Sequence, residues 1–129
     1  MIRTEQVKVT TTGSAGSATG AANTARAIVG KILKVRLNYH ANAPATTDVT
    51  ITERVGSTDW ETIHTETDSK TDVTRYPRRA VEDNAETTVT YDGTNEIYEP
   101  FVVSDHMRVA VAQADALTDC VVVDIFYEE

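Results

Sequence analysis

The stretch from Arg26 to Arg54 constrains the fold of this chain more than any other. It reads RAIVGKILKVRLNYHANAPATTDVTITER. From Leu33 onward apolar and polar residues alternate almost strictly. Val35, Leu37 and Tyr39 stand against Lys34, Arg36 and Asn38; beyond Asn42-Ala43-Pro44, Val49 and Ile51 stand against Thr50 and Thr52. A period of two sends one set of side chains to a core and the other to water, which is the pattern of a half-buried strand. Two such strands joined by a Pro-bearing turn are expected to pair antiparallel, and their apolar face needs a second sheet over it. The expected fold is therefore all-β: a single-domain, antiparallel β-sandwich of jelly-roll type, with an extended N-terminal arm and one long loop excursion.

The remaining segments extend this reading. Threonine is frequent, 21 of 129 residues, and β-branched side chains suit a pleated surface. Met1–Thr12 reads as a strand carrying Val7 and Val9. Residues 13–25, GSAGSATGAANTA, have the composition of a flexible linker. Residues 1–25 are thus expected as an arm with its hinge, and 26–129 as the sandwich. A plain surface loop between two strands is the other reading of 13–25. Gly56-Ser57-Thr58-Asp59 signals a turn, and Trp60, the only tryptophan, is expected to plug the end of the core. Val73–Glu99 is the least regular stretch, because Pro77 biases Tyr76 towards extended geometry and Asp92-Gly93 supplies a turn. His106–Ala112 and Cys120–Tyr127 read as the last two strands, the final one central and covered on both faces.

Composition and motif spacing bear on chemistry. The net charge is −8, split between +5 over residues 1–40 and −13 over 41–129. Such an acidic chain is not expected to bind nucleic acid, because phosphate affinity comes from clustered Lys and Arg. The basic first third suits an acidic surface on a partner or on a neighbouring copy. No segment reaches the apolar length of a membrane span, and no leader-like apolar run follows Met1. A single cysteine, Cys120, among valines reads as a small buried apolar residue, and the chain as one made in a reducing compartment. His40, His64 and His106 fall in three different strands without metal-ligand spacing. The acidic runs at 82–86 and 92–96 do not match a calcium-binding loop. There is no nucleophile elbow and no phosphate-binding glycine loop. No catalytic residue, cofactor or metal is expected, and the chain is not expected to be an enzyme.

Arginine and tyrosine concentrate at one point, Arg75-Tyr76-Pro77-Arg78-Arg79. These residue types anchor protein interfaces. The alternative is a loop whose arginines balance Glu82, Asp83 and Glu86. Together with the extended start of the chain, the GKILKVRLNYHANAPATTDVTITE segment and the MRVAVAQAD…CVVVDIFYE ending, this loop resembles small head proteins of tailed bacteriophages. The resemblance is to capsid decoration, or cement, proteins. It implies a homotrimer on the capsid exterior, made in the host cytoplasm, that clamps neighbouring major capsid subunits. Partner contacts are then expected from Arg3, Val7 and Val9 of the arm and from Arg75, Tyr76, Arg78 and Arg79 of the loop. Two other roles fit the same sequence: a β-sandwich module binding carbohydrate or a receptor, and a head or tail completion component. A carbohydrate module needs exposed aromatics in a row, and the chain is only 6% aromatic.

Overall fold

The computed structural model describes all 129 residues, and every regular element is a strand. In chain order these are β1 (Ile2–Val9), β2 (Ala18–Asn23), β3 (Gly30–Tyr39), β4 (Asp48–Val55), β5 (Thr58–Glu66) and β6 (Val73–Arg75). They continue with β7 (Arg78–Ala80), β8 (Tyr98–Pro100), β9 (Val102–Val103), β10 (His106–Ala114) and β11 (Val121–Glu128). One sheet runs β1-β11-β3-β6, with β9 also on β3; the other runs β2-β10-β4-β5; β7 and β8 form a separate ribbon. All pairs are antiparallel. The protein is a β-sandwich.

Alternation explains where the core lies. Ile32, Val35 and Leu37 of β3 and Val123 and Ile125 of β11 turn inward from the first sheet. Val49 and Ile51 of β4 and Met107, Val109 and Val111 of β10 turn inward from the second, and all belong to one buried cluster. Each such side chain contributes about 1.5–3 kcal/mol of burial relative to exposure. The buried threonine hydroxyls of Thr24 and Thr11 are each paired twice: Thr24 Oγ1 donates to the Arg26 carbonyl at 2.7 Å and accepts from the Met107 N–H at 3.1 Å. Thr11 Oγ1 donates to the Asp115 carbonyl at 2.6 Å and accepts from the Leu117 N–H at 3.1 Å. Cys120 is fully buried, and loss of hydration pushes its thiol pKa up.

Several local expectations are corrected. β3 and β4 do not pair with one another. Residues 40–47 carry the chain from one sheet to the other, so their apolar faces meet across the core while each strand bonds elsewhere, β3 to β11 and β4 to β10. Period two states which face is apolar; it does not name the neighbour in the sheet. β1 is not a free arm, since Ile2 to Val9 pair in unbroken register with Glu128 to Val121. Within the expected linker, Ala18–Asn23 is a strand on β10, because small side chains pack well against a close neighbouring strand whatever their intrinsic preference. β11 is central in its sheet, yet alternate residues along it are only half-buried, so one face alone is fully covered. Trp60 does not plug the core: it is 70% exposed.

Candidate interaction surface

The long excursion leaves the sandwich from inside an edge strand. β6 pairs with Val35–Leu37 of β3, and β9 pairs with Gly30 and Lys31 further along the same edge. Residues 76–101 loop out between these two short pieces. Pro77 and Phe101 are buried at the two ends of the excursion, and the Ile32 N–H donates to the Phe101 carbonyl at 2.9 Å. The excursion is therefore anchored at both ends.

Beyond the anchors it forms a narrow ribbon. β7 and β8 pair, and the ladder continues through isolated bridges at Glu82–Thr88 and Thr90–Glu96. Two carboxylates hold the turns. Asp83 accepts from the N–H groups of Ala85 and Thr87. Asp92 accepts from those of Thr94 and Asn95, and these bonds, that from Asn95 first, hold its pKa below the ordinary value. Along this arm Tyr91 is 70% exposed, and Tyr76, Ile97 and Tyr98 are exposed as well. Val102, just past its end, is 68% exposed. Exposed apolar side chains along an element outside the core make this arm the candidate interaction surface.

The arginines expected at an interface have partners within the chain. Arg78 Nη1 donates to the carbonyls of Leu33 and Pro77 at 3.2 and 2.7 Å, tying the arm to β3. Arg79 lies 3.2 Å from Glu82, 3.7 Å from Glu99 and 3.9 Å from Glu61 on β5. Arg75 donates through Nε and Nη2 to Glu66, the shortest contact being 2.7 Å, and His64 Nε2 approaches the same carboxylate at 2.7 Å. These side chains brace the root of the arm. Tyr76 is the loop residue left free. At the chain start, Arg3 pairs with Glu129. Val7 and Val9 are 2% and 0% exposed; expected to reach a partner, they are core residues, because β1 supplies alternate side chains to the sandwich interior. The sequence reading missed Tyr91, Ile97, Tyr98 and Trp60. Their only signal was large apolar type within a polar stretch, which does not distinguish surface from core.

Glu66 carries a pH consequence. The Arg75 guanidinium, more than any other neighbour, holds its carboxyl below the usual range, with His64 adding to the effect. A depressed carboxyl pKa contributes stability that is present above the unfolded value and lost as pH falls through the folded one. Glu66→Gln is therefore expected to lower the urea midpoint at pH 7. The gap to the parent should close as the medium is acidified into and below the carboxylate range. A gap that stays constant with pH would remove the ion pair as its cause.

Elsewhere the surface offers two shallow hollows. One is lined by Arg3, Arg26, Ala27, Val29, Tyr127 and Glu129, the other by residues around Tyr39 and Lys70. No group of three or more His, Cys, Asp or Glu side chains converges. No helix is long and apolar enough to cross a membrane.

No protein-family model and no curated protein matches the sequence. Among solved structures the chain is similar to variants of a family 29 carbohydrate-binding module. One is 15% identical at a TM-score of 0.37, covering 98% of this chain and 80% of that one. Another is 15% identical at 0.38, covering 98% and 81%. A xylanase from Cellvibrio japonicus is 10% identical at 0.33, covering 96% of this chain and 26% of its own. At such identities and scores the likeness carries no weight for function.

Proposed function

We propose that the protein is a binding module acting by surface association, and that its working element is the arm at residues 76–101. The observation that carries this reading is an anchored ribbon whose tyrosines and isoleucine lie outside the core. Unfilled apolar side chains on a pre-formed element lose little conformational entropy on docking. The sequence resemblance supports a partner class, the head of a tailed bacteriophage. There the protein would bind the outer surface and clamp neighbouring major capsid subunits. Modest affinity per copy suffices when many copies act on a repeated lattice.

A second reading has one specific observation behind it: Trp60 is solvent-exposed, as a sugar-stacking aromatic must be. Both readings meet in one experiment. Val81 and Ile97 face each other in the ribbon, the Val81 N–H donating to the Ile97 carbonyl at 2.9 Å, so residues 82–96 can be replaced by Asn-Gly, a two-residue hairpin turn. The parent is expected to co-sediment with tailed-phage heads and the shortened chain to lose that binding while keeping its strand signal and urea midpoint. Unchanged head binding by the shortened chain would end the assignment of the arm. A shift of the single tryptophan's emission on titration with xylan or soluble glucan, with no head binding, would establish the carbohydrate reading instead.

A further inference from the structure

We propose that the arm is received by a second copy of this chain, on the outer face of the sheet β1-β11-β3. The inference rests on the reading of the arm as a binding element and gives it a contact between copies of the chain in addition to the one with the head. The strand register lays out the receiving face. Lys8 lies beside Val122, which lies beside Asn38. The next row is Gln6, Asp124 and Arg36, and the next is Thr4, Phe126 and Lys34. Lys31 closes the face between Glu128 and Val102. Four cations stand here against two carboxylates. The Lys34 ammonium and the Arg36 guanidinium sit 4.8 and 5.1 Å from the Phe126 ring centre. Ile2 and Val102 are exposed at the same end.

None of these four cations forms an ion pair within the chain, and Asp124 is already engaged by Gln6 Nε2 at 2.8 Å. The arm is the complement. Between residues 76 and 101 two arginines stand against six carboxylates, a net charge of −4, and both arginines are committed at its root. Its exposed tyrosines and Ile97 supply the apolar part, and tyrosine rings also attract lysine and arginine. The arm's own ion pairs run within the ribbon and to Glu61 on β5, which leaves the basic face open to a neighbour. Opposite potentials on two separate patches give a heterologous contact, arm to face, which builds a closed ring or an open chain as the rotation dictates.

The test is the solution mass of the full chain by light scattering at low and high salt, with two charge-altered variants, one reversing the face and one neutralising the arm. One carries Lys34→Glu and Arg36→Glu on the face. The other carries Glu86→Lys and Glu96→Lys on the arm, sparing the turn-holding aspartates. The parent is expected to be oligomeric at low salt and to dissociate as salt rises. Each variant alone should associate at least about tenfold more weakly. An equimolar mixture should re-associate, because the unaltered acidic arm of the face variant then meets the unaltered basic face of the arm variant. A parent that is monomeric at low salt, or an oligomer that survives both pairs of substitutions, overturns the inference. A monomer that still binds phage heads would overturn self-association and leave the binding reading standing. An oligomer that binds neither heads nor glycan would do the reverse.

Discussion

Gly30→Ala is expected to cost about 3 kcal/mol or more, read as a lower urea midpoint with unchanged slope. Two effects combine at this position. Gly30 has φ of +137°, a backbone region that side-chain-bearing residues avoid. A Cβ placed there would also overlap the Glu128 carbonyl oxygen of β11, which is backbone and cannot rotate aside. Relief requires β3 and β11 to separate where β9 also joins, so the root of the arm loosens with the sheet. Gly56 is the control: its φ of 63° is also left-handed, but nothing stands within 4 Å of a Cβ. Gly56→Ala should cost only about 1 kcal/mol. Equal losses at the two positions would show that conformational strain alone matters and that the close approach does not.

Leu37→Ala is expected to cost about 3–5 kcal/mol. Leu37 is fully buried in β3, opposite Val123 of β11 and inside the single core cluster. Neighbours held in two hydrogen-bonded sheets cannot collapse far into the space it vacates, so a cavity term adds to the lost transfer energy. Val102→Ala on the same sheet, at an exposed site, should stay within about 0.5 kcal/mol. A loss below about 1 kcal/mol at Leu37 would place that side chain outside the core and undo the facing of the two sheets.

These positions show which parts of the molecule were legible in the chain. Leu37 was: its place in the alternation of Val35, Leu37 and Tyr39 assigns it to an apolar face by local pattern alone. Gly30 was not, because its constraint comes from Glu128, on a strand at the far end of the chain. The excursion after Val73 was legible from Pro77 and Asp92-Gly93, which interrupt a strand for local steric reasons. What the arginines within it do was not. The sequence shows Arg79 close to Glu82, but only the folded chain brings Glu61 and Glu99 to the same guanidinium and turns an apparent contact loop into a braced root.

The sequence by itself determined the class of structure and the inward residues of β3 and β4, because side-chain alternation along a strand is a local property of pleated backbone. It determined the uneven charge as well. The tertiary structure alone decided which strands are neighbours. Hydrogen bonds between strands are made by backbone common to every residue, so partner choice depends on closing one core from all strands at once. That closure puts β1 at the edge of a sheet beside β11, parts β3 from β4, leaves Trp60 in water, and sets a basic face and an acidic arm on one small protein.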